Sequence, residues 1–364
     1  MALAVAPYMT WAKRRTHATY DLANSNLFPC ALGDLPGALD GLELNGHNDE
    51  GYPPLVEAIA ARYGVDSSRV ATATGASAAN FLACAAVLEA GDEVLVERPG
   101  YDPLMAAPRM LGARVNRFDR RWEDGFALDP SAVGAAMTPA TRLIILTNLH
   151  NPSGVLASSE SLIEIGRIAE RARARVLVDE VYLDALLDGA VPSAASLGET
   201  FISTSSLTKS YGLAGIRCGW ALASPEVAER IRRARDVVDG SGAYPAEQLS
   251  AYAFGRLDKL ADRARRILVP NLAAMTGFLD SRPEFEYVRP SGGTVVFPRF
   301  RDGRDAAALA DRLFADYDTA IVPGRFFDAP SHLRLSFGGP ADRLAAGLER
   351  LARCLTTRPG RGGR

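Results

Sequence analysis

Ser203-Thr204-Ser205-Ser206-Leu207-Thr208-Lys209-Ser210, continued by Tyr211-Gly212-Leu213-Ala214-Gly215-Ile216-Arg217, is the stretch on which the reading of this chain turns. Lys209 is one of three lysines in 364 residues. Lys13 lies beside Arg14 and Arg15, and Lys259 lies among charges on an expected surface helix. Lys209 instead has hydroxyl and glycine neighbours and no acidic residue in its segment. That setting suits a partly desolvated amine whose pKa falls, so that it acts as a nucleophile or forms a Schiff base. A lysine in a Ser/Thr-rich loop, taken alone, reads as an exposed surface residue. The rest of the sequence reverses that reading.

The stretch belongs to a run of alternating helices and strands. Helices are expected over residues 54–62, 76–89, 159–173 and 225–238, and strands over 93–97, 114–118, 142–147, 175–178, 201–204 and 218–223. Largely apolar strands alternating with helices predict an α/β fold with a mostly parallel sheet covered on both faces. Near Pro270-Asn271 the character changes. A long helix through Leu279 gives way to the segment 294–300, a helix over 306–317, strands near 320–322 and 332–337, and a last helix over 340–354. This part reads as a smaller α+β domain. The tail over 356–364 is too polar and glycine-rich to pack and is expected to be disordered.

Composition excludes several classes. With 48% hydrophobic and 23% charged residues the chain is an ordinary globular protein, and a formal net charge of −2 argues against a general nucleic-acid or anionic-membrane binder. Of the 41 basic residues 38 are arginine, so an arginine alone is weak evidence of a site. Arg120, Arg121, Arg299 and Arg325, each a candidate for an acidic substrate, therefore read as surface residues. Cys30, Cys84, Cys218 and Cys354 are scattered and read as small core residues in a reducing compartment. His17, His47, His150 and His332 lack metal-ligand spacing, so no metal site is expected. The apolar start precedes its basic residues, the wrong order for a secretion signal, and no stretch reaches the length of a membrane span. A cytosolic protein is expected.

Four further segments at the ends of elements complete a constellation with Lys209. Thr74-Gly75-Ala76-Ser77 opens a helix, where free N–H groups and a close approach at Gly75 make a phosphate site. Tyr101, in Pro99-Gly100-Tyr101, stands beyond a strand where its ring can stack on a flat cofactor. Asn151-Pro152-Ser153-Gly154 follows a central strand, at the carboxyl edge where open α/β sheets bind ligands. Asp179, in Asp179-Glu180-Val181-Tyr182, follows another strand and can hold a protonated ring nitrogen. Singly, each reads as a cap, a packing aromatic, a turn or a solvated carboxylate. A phosphate site, a stacking ring, an aspartate and a Schiff-base lysine together match the needs of pyridoxal 5'-phosphate (PLP).

On these residues the chain, over about 20–355, resembles the class I/II aminotransferases among the fold-type I PLP enzymes. The resemblance implies a large PLP-binding domain over 45–268 and a small domain built from both termini, 1–44 plus 269–355. It implies that Lys209 of the S-x-x-K segment Ser206-Leu207-Thr208-Lys209 binds the cofactor. Ser206, Arg217 and the start at Gly75, Ala76 and Ser77 would hold the phosphate. Asp179 would meet the ring nitrogen, Asn151 and Tyr182 the ring hydroxyl oxygen, and Tyr101 the ring face. Arg334, in Leu333-Arg334-Leu335-Ser336-Phe337, would pair with the substrate α-carboxylate, a role suited to a planar guanidinium. A homodimer acting on an amino acid and a 2-oxo acid is implied. One departure stands out: where the family has a tyrosine reaching the partner subunit's phosphate, this chain has Asn45-Gly46-His47-Asn48.

Transamination is the expected reaction. The rival on the same fold is β-elimination or elimination–cyclisation, because Gly292–Phe300 and Val322–Phe327 are similar to segments of capreomycidine synthases. A non-catalytic ligand sensor is the third reading, and it lacks the helix-turn-helix segment that would support it. Neither G-x-G-x-x-G nor a P-loop occurs.

Overall fold

The computed structural model describes residues 5–15 and 17–357, so most of the tail expected to be disordered, 358–364, lies outside the described residues. Helix α1 (Pro7–Lys13) starts on a proline, at a position where the missing N–H has no partner to lose, and leads to strand β1 (Tyr20–Asp21). Helix α2 (Pro53–Tyr63) starts on a proline pair and stops at Gly64, whose φ of 62° gives a left-handed cap. There follow β2 (Val70–Thr74), α3 (Ala76–Val87), β3 (Glu93–Arg98), α4 (Pro103–Met110), β4 (Arg114–Asp119), α5 (Pro130–Ala136), β5 (Thr141–Thr147), α6 (Ser159–Arg171), β6 (Arg175–Asp179), β7 (Phe201–Ser206) and β8 (Cys218–Leu222).

Strands β2 to β8 form one sheet in the order β2-β8-β7-β6-β5-β3-β4. Strand β8 runs against both neighbours, and the remaining pairs are parallel. Strands β5 to β7 are buried along nearly their whole length, which is why they read as apolar runs without alternation. Helices α4 and α5 escape the sequence reading because Pro108 and Gly134, poor helix formers, sit inside them.

Helices α7 (Pro225–Val238), α8 (Tyr244–Phe254) and α9 (Leu257–Asp280) come next. Helix α9 is continuous through Pro270, and the change of character there is a change of packing partners. Leu257 and Leu260 pack with Leu207, Tyr211 and Trp220 beside the sheet, whereas Ala264 to Leu279 pack with Leu22, Leu27 and Phe337. The last part holds β9 (Phe285–Glu286), β10 (Val295–Val296), β11 (Arg299–Phe300), α10 (Ala307–Tyr317), β12 (Thr319–Ala320), β13 (Val322–Pro323), β14 (Leu333–Ser336) and α11 (Ala341–Thr356). The segment 294–300 holds β10 and β11, parted at Phe297-Pro298, since Pro298 has no N–H for a ladder. Strand β1 pairs in parallel with β12, Tyr20 opposite Thr319, so the N-terminal segment is stitched into this C-terminal layer.

The candidate active site

The carboxyl ends of β5, β6 and β7 and the N-terminus of α3 face the segment after β1 across a cavity of about 400 Å³. Lys209 lies between β7 and β8, and its Nζ donates to Ser25 Oγ at 3.0 Å and Asn26 Oδ1 at 2.7 Å. Burial pulls the amine down to about 8; Arg334 adds to that fall, while Tyr8 and Asp179 oppose it.

Asp179 ends β6 and is buried. Its Oδ2 accepts from Asn80 Nδ2 at 2.8 Å and its Oδ1 from the Val181 amide at 3.2 Å. Burial pushes this carboxyl up, and these two hydrogen bonds pull it back. Asn80 was not singled out in the sequence. It stands one turn beyond the start of α3, and its Oδ1 accepts from Thr204 Oγ1 at 2.5 Å. Ser25 and Asn26 were missed as well, because they come from an irregular segment with no local signature.

The other end of the cavity is cationic. Ala76 and Ser77 form the first turn of α3 behind Gly75, whose φ is 84°. A Cβ on Gly75 would run into the Arg217 guanidinium, so glycine is what lets the two meet. Arg217 Nη1 donates to Ala214 O at 3.2 Å and Nη2 to Thr74 O at 3.3 Å. Both partners are carbonyls, so its charge is left for an anion. Buried Ser206 lines the same end.

Asn151, Tyr182 and Tyr101 line the walls. The Tyr182 ring centre is 5.9 Å from Lys209 Nζ, and the Tyr101 ring meets Tyr8 edge-on at 5.7 Å. Arg334 on β14 is 1% exposed and stands behind the cavity wall formed by Tyr8, Ala23 and Asn151. Its Nη1 donates to Asn151 Oδ1 at 3.2 Å, and its Nη2 to the Tyr8 hydroxyl oxygen at 2.6 Å and to the Ala23 carbonyl at 3.1 Å. Its Nε is buried without a partner.

Two sequence expectations change. Arg120 is no surface residue: it is 1% exposed and paired with the fully buried Glu97 at 3.1 Å, since the strand ends place them side by side. Glu97 also accepts from the Thr147 amide at 2.7 Å, and Thr147 Oγ1 accepts from the Asn151 amide at 2.8 Å, so the pair backs the wall of the cavity. Among the cysteines, Cys84, Cys218 and Cys354 are buried, but Cys30 is half-exposed because its segment carries no regular element. His47 is exposed. Among the described residues no cluster of His, Cys, Asp or Glu could hold a metal ion, and no helix is long and apolar enough to cross a membrane.

A cationic cradle, an opposed carboxylate, aromatic walls and a central amine fit a phosphorylated pyridine aldehyde. The family described as Aminotransferase class I and II matches residues 19–351. Capreomycidine synthase of Streptomyces vinaceus is 30% identical over 375 residues, covering 98% of this chain and 95% of that enzyme. Arginine–pyruvate transaminase of Pseudomonas aeruginosa is 31% identical over 302 residues, covering 80% and 75%. The crystal structure of a PLP-dependent aminotransferase from Streptococcus suis superposes with a TM-score of 0.92 at 28% identity, covering 98% of each chain. The chain thus belongs to the class I and II aminotransferase family, fold-type I enzymes whose cofactor is pyridoxal 5'-phosphate.

Proposed function

We propose that the chain transfers an amino group between an α-amino acid and a 2-oxo acid. The observation that carries this reading is the placement of Lys209, Asp179 and Asn151 around one cavity, with Arg334 bonded to Asn151 behind its wall. When bound, PLP supplies an electron sink for the charge left at the substrate Cα. Lys209 would hold the cofactor, and its amine, freed when the substrate amine takes its place, would move the proton at the substrate Cα. With its pKa near 8, about one Lys209 amine in ten is neutral at pH 7, against roughly one in several thousand for an ordinary lysine.

Asp179 keeps the ring nitrogen protonated, and Asn80 keeps Asp179 ionised. Tyr182 and Asn151 hold the ring hydroxyl oxygen, and Tyr101 covers the ring. Gly75, Ala76, Ser77, Ser206 and Arg217 take the phosphate, and Arg334 takes the substrate carboxylate. The working unit is a cytosolic homodimer, its chain divided into a large domain over 45–268 and a small domain over 1–44 and 269–355.

The second reading, elimination or elimination–cyclisation, is favoured by one observation: the match to capreomycidine synthase spans nearly both chains. One experiment separates them. Holoenzyme given an amino acid without an oxo-acid acceptor should release one equivalent of 2-oxo acid per cofactor and no ammonia. Continuous ammonia release would favour β-elimination, and loss of a β-substituent with neither 2-oxo acid nor ammonia formed would favour elimination–cyclisation.

A further inference from the structure

Strand β2 lies at the edge of the sheet, paired with β8 alone, yet it carries the rim of the phosphate end. Thr74, its last residue, precedes Gly75 and offers its carbonyl to Arg217. Thr72 and Thr74, two residues apart, share one face of the strand. On that face they meet charged groups from α7 and α8. Asp239, which ends α7, accepts the Thr74 hydroxyl on Oδ2 at 2.7 Å. Its Oδ1 accepts from Arg235 Nε at 3.3 Å, and Arg235 Nη1 donates to Thr72 Oγ1 at 2.7 Å. Arg235 Nη2 lies 3.5 Å from Glu247 Oε1 on α8, and Glu247 Oε2 accepts from Asn48 Nδ2 at 2.8 Å. Arg235 is 2% and Glu247 8% exposed, so neither charge is solvated by bulk water and each depends on these partners.

We infer that Asp239 and Arg235 act as positioning residues for the cofactor phosphate: they fix the Thr74 hydroxyl, and the Thr74 carbonyl aims Arg217 into the phosphate end. This rests on the reading of Arg217 as the phosphate's cation. Carbonyls alone set the direction of that guanidinium. The packing allows little slack, because a Cβ on Gly219 would strike the Gly75 backbone and one on Gly75 would strike Arg217. A displaced Thr74 therefore carries Arg217 with it.

The test titrates full-length apoprotein with PLP and with pyridoxal, the same aldehyde without its phosphate. Thr74→Val deletes the hydroxyl but keeps a β-branched strand residue, and Thr74→Ser keeps the hydroxyl. Asp239→Ala deletes the acceptor, and Arg217→Ala is the reference. Thr74→Val and Asp239→Ala should each weaken PLP about tenfold, the scale of one hydrogen bond to a charged group, and leave pyridoxal unchanged. Thr74→Ser should bind PLP like the parent, and Asp239→Ala should add nothing to Arg217→Ala. Thr74→Val keeps the test decisive should the loss of Asp239 unfold the helix end. Equal weakening of PLP and pyridoxal, or of neither, overturns the brace if Arg217→Ala still discriminates between them. If Arg217→Ala weakens both alike, the phosphate reading of Arg217 falls and the brace with it.

Discussion

The Tyr8 hydroxyl lies 2.6 Å from Arg334 Nη2, joining two residues 326 positions apart. The contact lays α1 across the guanidinium, and Tyr8 lines the cavity where Arg334 does not. Any group approaching Arg334 from the cavity would therefore meet Tyr8 first, and Nε is the donor left without a partner. Helix α1 is held from the other side as well, the Tyr8 amide donating to Asp102 Oδ2 at 2.8 Å.

Arg334→Ala should lower amino acid turnover by roughly two to three orders of magnitude, the scale expected when a desolvated charge pair loses one partner. The cofactor spectrum should stay intact. Arg334→Lys should recover little, because an ammonium cannot make a bidentate pair. Steady-state kinetics beside a melting curve checks this: unchanged kcat/KM with a lowered Tm would leave Arg334 a structural residue.

Lys209 should take up the cofactor with a distinctive pH dependence. The neutral amine is the attacking form, so the rate at which apoprotein binds PLP should rise with pH and level off above about 8, where burial has moved the amine. A rate still climbing at pH 10 would mark an ordinary lysine. Borohydride reduction and peptide mapping should place the pyridoxyl label on Lys209 and not on Lys13 or Lys259.

Asp179→Ala should slow Cα proton transfer by several orders of magnitude, on the order of the loss seen when a catalytic charge is removed. Asn80→Leu should show a milder, pH-dependent defect. Burial already raises the Asp179 carboxyl and Asn80 lowers it, so loss of Asn80 raises it further. The protonated, ineffective fraction then grows as pH falls, and activity should return as pH rises. A defect equal at all pH values would place the role of Asn80 in packing.

Removing one member of the Glu97–Arg120 pair should be costly, since both side chains are fully buried. Arg120→Met leaves an unpaired buried carboxylate, a loss of about 3–5 kcal/mol. Combining it with Glu97→Gln should restore much of the lost Tm, because the stranded charge is then gone. Thermal denaturation of the two single variants and the double variant checks the order.

The sequence by itself determined the α/β alternation, the helix start behind Gly75 and the isolation of Lys209. These depend on near neighbours: periodicity, a residue without a Cβ, and the absence of adjacent acids. Tertiary structure decided which groups meet. Lys209 finds Asn26 across 183 residues, Asp179 finds Asn80 across 99, and Arg120 finds Glu97 from an adjacent strand instead of solvent. Helices α4 and α5 and the unbroken α9 form against their local composition because packing on the sheet and on Leu22 and Leu27 outweighs the weak propensities of Pro108, Gly134 and Pro270. Contacts of that range arise only when the chain folds back on itself, so no local pattern announces them.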